Sequence, residues 1–180
     1  MKRFLIFAGL LFVSTAPLVV FAKGELVRVE VTGPALSAPL VVEDSKVLRE
    51  FLIWSGPNSG PIGDPQSDDS HSFIDWHEGI AEHVPKGMTI YEVSFFHVFN
   101  RQPPDARLTY VVKYAYDAVS KRGYIYLPGP KEENYRLNVT TIIHDVEGHW
   151  FLASSSWESL VAPLIQQRTV RSASDVAARR

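Results

Sequence analysis

The chain has 180 residues, a formal net charge of −2 and no cysteine. This length is typical of one domain, and so mild a charge gives no argument for a nucleic-acid partner or for an anionic membrane surface. Without cysteines, disulfides, thiol catalysis and cysteine-ligated metal are excluded, so the fold must be stabilised by packing.

The amino terminus has the order of a secretory signal. Lys2 and Arg3 give it a positive start, the run from Phe4 to Val13 is apolar, and Ala22 is a suitable last residue before a cut. A retained membrane anchor is the alternative, because the apolar character continues almost far enough to span a bilayer. Pro17 and the cleavage site favour cleavage. We therefore expect a periplasmic or secreted protein with no integral membrane span after cleavage.

Two strands and a helix are predicted in the next part of the chain. Glu25 to Val31 alternates between apolar and charged residues, which is typical of a half-buried strand. Pro39 to Val42 has the character of a short second strand. Asp44 or Ser45 then has the side chain of a helix cap, and the apolar spacing predicts a helix through Trp54.

This opening part carries a resemblance. It has VTGPAL at 31–36, PLVV at 39–42 and LREFLIWSG at 48–56, and it resembles a group of uncharacterised bacterial exported proteins. The similarity extends from Val27 to Gly56. It implies a bacterial source and export, and it implies no activity, ligand or catalytic residue.

A long irregular loop is predicted over 55–86, and such loops are often functional. Its part from Asp64 to His83 is rich in aspartate, glutamate and histidine and has no lysine or arginine. Carboxylate oxygens and imidazole nitrogens are ligands that divalent cations prefer, although the spacing matches no calcium or zinc pattern. A solvated acidic loop is the alternative. The residues of the predicted metal site are His71, Asp75, His77 and His83.

The second half of the chain is predicted to consist mainly of strands. Short alternating segments follow one another with turns between them, which favours an antiparallel meander. The turn at 145–148 would bring His144 and His149 together as a cross-strand pair. His97 lies on an apolar strand face and is predicted to be a core histidine with a hydrogen-bond partner. The predicted strands are 90–99, 107–116, 124–127, 137–143 and 149–153.

Tyrosines are dense in these strands. Their number suggests a stacking surface for a carbohydrate, a lipid or another flat ligand, and the alternative is that aromatic cross-strand pairs simply stabilise the sheet. The candidate contact residues are Tyr110, Tyr114, Tyr116, Tyr124, Tyr126 and Trp76.

The carboxyl-terminal part changes character. Ser155 and Glu158 have the spacing of a capping box, which predicts a helix to about Gln167. The segment 169–180 is small, polar and rich in arginine, and we predict a disordered tail there.

Together these patterns predict an α+β protein: a signal peptide over 1–22, one domain over 23–168 and the tail over 169–180. The domain has a single antiparallel sheet of five to six strands with one or two short helices. We interpret it as an exported binding or envelope-associated protein rather than an enzyme. It has no assigned catalytic residue, no cofactor, and an unknown ligand or envelope protein as its partner. A metal-dependent hydrolase using the loop histidines, with a divalent metal, is the alternative.

Overall fold

The computed structural model describes residues 24–59, 71–99, 105–117 and 119–177, with side chains as far as Arg168. Within them, one antiparallel sheet has the strand order β2-β1-β3-β4-β5-β6, which confirms the α+β prediction. The predicted signal peptide lies outside the described residues. The strands are β1 (Glu25–Thr32), β2 (Leu40–Val42), β3 (Ile90–Val98), β4 (Ala106–Asp117), β5 (Arg122–Tyr126) and β6 (Trp150–Leu152). The helices are α1 (Ser45–Leu48), α2 (Tyr135–Thr141) and α3 (Ser155–Ala177).

Buried and more exposed residues alternate along β3. In β3 the side chains of Val93 and Phe95 are fully buried, while Glu92 between Tyr91 and Val93 is exposed. One surface of the sheet, which we call the core face, carries Phe95 and, on β4, its pairing partner Tyr110. The opposite surface is the outer face.

A bulge at Thr109 interrupts the pairing of β4 with β3. Phe95 pairs with Tyr110 but Phe96 pairs with Leu108, so β4 has one extra residue at this point. Residues paired across antiparallel strands share a face. Leu108 therefore lies on the outer face with Phe96, although an uninterrupted strand would place it on the same face as Tyr110.

The long helix α3 packs on the core face. Trp157 is fully buried, and its ring centroid lies 5.0 Å from that of Phe51 and 5.8 Å from that of Tyr114. The cap is Ser154, whose Oγ accepts a hydrogen bond from the backbone N–H of Trp157 at 3.2 Å, so the capping box predicted at Ser155 is wrong by one residue. The helix also continues to Ala177, beyond its predicted end and into the segment predicted as a disordered tail.

Helix α2 stands where the sequence predicted a strand over 137–143. Its Asn138 side chain accepts from the backbone N–H of Val111 at 2.8 Å and donates to the carbonyl of Val111 at 2.7 Å. The hydroxyl of Thr141 donates to the carbonyl of Thr109 at 2.7 Å. Because β5 ends opposite Lys113, these side chains supply the partners that a strand would otherwise provide.

The first helix is shorter than its sequence pattern predicts, and the described part of the long loop is anchored on the rest of the fold. Asp44 caps α1 by accepting from the N–H of Lys46 at 2.9 Å, but the helix ends at Leu48 instead of Trp54. Farther along, Phe73 and Ile74 are buried, and Ile74 forms a β-bridge with Ala153. The described part of the loop is therefore fixed against β6.

Candidate functional site

A cleft opens where α3 begins beside the turn between β4 and β5. Its volume is about 200 Å³. A short 3₁₀ turn over Trp76–Glu78 forms its third wall. We call it the Glu158 cleft. Its lining residues are Asp75, Glu78, Lys121, Arg122, Gly123, Leu152, Ala153, Ser155 and Glu158.

Glu158 lies in the first turn of α3, and its carboxyl group is directed onto the sheet. The hydroxyl of Tyr114 donates to its Oε1 at 2.9 Å. Gly123 of β5 provides the space, because any Cβ at position 123 would collide with Oε1 of Glu158. Strands β4 and β5, which are distant in sequence from α3, therefore position this one carboxyl group.

Burial raises the pKa of the Glu158 carboxyl to about 7, against the opposing effect of the hydrogen bond from Tyr114. Burial first, and then the nearby Glu158 carboxylate, also raise the pKa of the Tyr114 hydroxyl, which stays protonated as a donor. Glu158 therefore changes between a neutral acid and an anion near neutral pH. A titratable group of this kind in a cleft marks a candidate functional site.

The charges around Glu158 are unbalanced. The lining contains three carboxyl groups, of Asp75, Glu78 and Glu158, and two cations, Lys121 and Arg122. The Oδ1 atom of Asp75 accepts from the backbone N–H of His77 at 3.2 Å and so caps the 3₁₀ turn. When Glu158 is ionised, the cleft has an excess of negative charge.

A second polar cluster surrounds His144, and both nitrogens of its ring face polar partners. Its Nε2 lies 3.0 Å from the carbonyl of Ser55, which only accepts, so Nε2 carries the proton and Nδ1 faces the Tyr110 hydroxyl at 3.4 Å. Burial lowers the pKa of His144, and the neutral ring stacks on Trp76 with centroids 5.1 Å apart. The exposed His149 lies next to the carbonyl of Val146, so the predicted pairing of His144 with His149 is wrong.

The predicted tyrosine surface is divided between the two faces of the sheet. Tyr124 and Tyr126 pair with Ala115 and Lys113, so they lie on the outer face, whereas Tyr114 lies on the core face. Trp76 packs against His144 and Phe151. These residues therefore do not form one open stacking surface. Those that are buried are Tyr110, Tyr114 and Tyr124, and those that are partly buried are Tyr116, Tyr126 and Trp76.

The residues of the predicted metal site do not come together. His71 Nδ1 lies 3.2 Å from Glu50 Oε2, and His77 and His83 are exposed. Over 24–59, 71–99, 105–117 and 119–177, no group of three or more histidine or acidic side chains is arranged to hold a metal ion. Three aspartates of the same loop lie outside the described residues: Asp64, Asp68 and Asp69.

The prediction for His97 is confirmed. The side chain is fully buried, and its Nδ1 lies 2.6 Å from Oγ1 of Thr109. Burial lowers the pKa of His97 to about 4, so the ring is neutral at physiological pH.

Sequence reasoning missed the Glu158 cleft. It assigned Glu158 to a local cap, because its position three residues after Ser155 fits that role. The one available signal was Gly123, which lies just before the strand predicted over 124–127 and inside β5 in the structure, because a glycine in a strand often marks a close approach by another group.

Comparison with known proteins gave no match to a protein-family model, a curated protein or a solved structure. None of the helices in the described part of the chain is long and apolar enough to cross a membrane.

Proposed function

We propose that this chain is an exported binding protein whose Glu158 cleft takes a small solute carrying an ammonium group. The observation that carries the proposal is the carboxyl group of Glu158, enclosed between Tyr114 and Gly123 and open to a cleft that holds two further carboxyl groups. The cleft is lined by charged side chains, and the sequence has no Gly-x-Ser-x-Gly motif of a serine nucleophile. Binding is therefore favoured over catalysis.

The charge of the cleft defines the solute. An ammonium group donates up to three hydrogen bonds, and bonds between ions are stronger than bonds between neutral groups. Ionised Glu158, together with Asp75 or Glu78, would accept them. Lys121 and Arg122 stand at the same cleft and suit a carboxylate at the other end of the solute. An amino acid fits this description, and a short diamine offers the ammonium group without the carboxylate.

Calorimetric titration with lysine and with putrescine tests the proposal. We expect binding that strengthens as the pH rises through about 7, because Glu158 gains its charge there. Glu158→Gln keeps the shape of the side chain and should remove both the pH dependence and most of the affinity. The matched control is Glu133→Gln, since Glu133 is exposed and lies outside the cleft lining.

Two results would overturn this proposal. One is that neither lysine nor putrescine gives a heat of binding at about pH 8, where Glu158 is ionised. The other is equal amine affinity in the wild type and in Glu158→Gln.

Export is the second part of the proposal, and the charged, apolar and small-residue order of the first 22 residues supports it. Full-length protein expressed in a bacterium with two membranes should be recovered from the periplasm with Lys23 as its first residue. Intact mass and amino-terminal sequencing measure this directly. Recovery of the uncut chain from the cytoplasm would contradict export.

A further inference from the structure

A second concavity lies between α2 and the start of β4. Its volume is about 270 Å³, near the lower limit of small-molecule pockets. We call it the Arg107 pocket. Its lining residues are Phe99, Asp105, Arg107, Leu108, Thr109, Leu137, Thr140 and Thr141.

The bulge at Thr109 makes this pocket apolar. Because of the extra residue, the side chain of Leu108 points to the outer face, where it is 40% exposed. Bulges commonly re-aim a side chain next to a functional site. Leu108, Leu137 and Phe99 then give the pocket an apolar lining that water solvates poorly.

The polar groups inside the pocket are already hydrogen-bonded. The hydroxyl of Thr109 donates to the carbonyl of Phe95 at 3.1 Å, and that of Thr140 donates to the carbonyl of Leu137 at 2.7 Å. The hydroxyl of Thr141 donates to the backbone carbonyl of Thr109 on β4. The three threonines therefore present methyl groups and oxygen lone pairs, and they have no proton left to donate to a ligand.

Arg107 supplies the charge. Its Nε lies 3.5 Å from Oδ2 of Asp105, and both side chains are more than half exposed. An exposed ion pair of this kind contributes little to stability, so an anion can replace the carboxylate of Asp105 at little cost. The guanidinium group binds carboxylates in a planar, two-pronged arrangement.

We propose that the Arg107 pocket binds a small amphiphile with an apolar body and a carboxylate head group. The apolar body lies against Leu108 and Leu137, and the head group pairs with Arg107. This site is separate from the Glu158 cleft and does not depend on the function proposed there.

Hexanoate is a suitable probe, with hexanol as the probe that lacks the charge and acetate as the probe that lacks the apolar body. We expect hexanoate to shift the methyl NMR signals of Leu108 and Leu137 saturably, and acetate to leave them unshifted. Arg107→Gln should weaken hexanoate binding about tenfold and leave hexanol binding unchanged, because only the charged hydrogen bonds are lost. Arg136→Gln is the matched control, since Arg136 is an exposed arginine of α2 outside the lining.

Leu108→Gln separates the apolar contact from the charge. It should weaken both hexanoate and hexanol, and because Leu108 is substantially exposed the protein should still fold. Hexanoate affinity that is equal in the wild type and Arg107→Gln would overturn the head-group assignment. Unshifted Leu108 and Leu137 signals at saturating hexanoate would overturn the site. Hexanoate binding should persist in Glu158→Gln, and its loss there would place the ligand in the other cleft.

Discussion

The Glu158 cleft and the Arg107 pocket lie at opposite ends of β4. They differ in how their polar groups are hydrogen-bonded. In the cleft, none of the cations in the described part of the chain is bonded to the partly buried carboxyl group of Glu158, so its charge remains conditional on pH. In the pocket, every threonine hydroxyl is already bonded to a backbone carbonyl, and the charged side chains among its described lining residues, Asp105 and Arg107, are more than half exposed. This difference fits the two proposals, of a charged solute in the cleft and of an amphiphile with an apolar body in the pocket.

The largest expected effect is on the helix that carries Glu158. Trp157→Ala removes a fully buried indole that contacts Phe51, Phe73, Phe95 and Tyr114. We expect the free energy of unfolding in urea to fall by about 4 kcal/mol, with loss of amine binding. Trp157→Phe should lose clearly less, because it leaves a smaller cavity. A loss below about 1 kcal/mol in Trp157→Ala would contradict the packing of α3 on the core face.

A smaller effect is expected on the pocket side. Asn138→Ala leaves the backbone N–H and carbonyl of Val111 without the partners that α2 provides. The free energy of unfolding should fall by about 2 kcal/mol, and hexanoate binding should weaken because α2 forms one wall of the pocket. Asn134→Ala, at the start of the same helix, is the control and should change stability by less than about 0.5 kcal/mol. Equal losses in the two variants would contradict the role of Asn138.

The pH dependence of stability distinguishes the two ends of β4 more finely. Folded Glu158 keeps its proton up to about pH 7 while the unfolded chain loses it near 4.5, so ionisation of Glu158 lowers the free energy of unfolding as the pH rises through this window. His97 acts in the opposite direction. Between pH 6.5 and about 4 the unfolded chain takes up a proton that folded His97 does not, so stability rises with pH there.

Because the two contributions oppose each other in the wild type, Glu158→Gln should make the free energy of unfolding rise more steeply with pH between about 4 and 6.5. Urea unfolding at a series of pH values measures this slope. The change is modest, because Glu158 is partly exposed and solvent screens its charge. Identical pH profiles for the two proteins would show that Glu158 titrates normally in the folded state.

The last prediction is that pH has no effect on hexanoate affinity. Hexanoate affinity should be constant between about pH 6 and pH 8, because binding between a guanidinium group and a carboxylate does not depend on pH in this range. Amine affinity at the Glu158 cleft should rise over the same interval. A parallel pH dependence of the two affinities would mean that the two sites are coupled or are one site.

The sequence predicted the parts of this fold that local patterns determine. Strand β3 alternates between buried and more exposed residues, so its sequence pattern predicts it directly, whereas the alternation of burial is interrupted in β1 and β4. The segment 137–143 alternates in the same way but forms α2, because the bonds from Asn138 and Thr141 to β4 outweigh local preference. The bulge at Thr109 leaves no local mark, so the outward position of Leu108 could not be foreseen.

The candidate site was hidden for a similar reason. The position of the Glu158 carboxyl group depends on the hydrogen bond from Tyr114, 44 residues away in the chain, and on the space left by the missing side chain at Gly123. Spacing within one helix carries no information about either contact. By contrast, His97 could be placed in the core, because its position in the alternation of its own strand is enough.

The Asn138 side chain has a consequence for how copies of this protein meet. Past the end of β5, strand β4 would present unpaired backbone groups, which are a template for addition of a foreign strand. Asn138 occupies both groups of Val111, and Thr141 occupies the carbonyl of Thr109. In a protein without disulfides, this short helix therefore also protects the sheet against edge-to-edge aggregation.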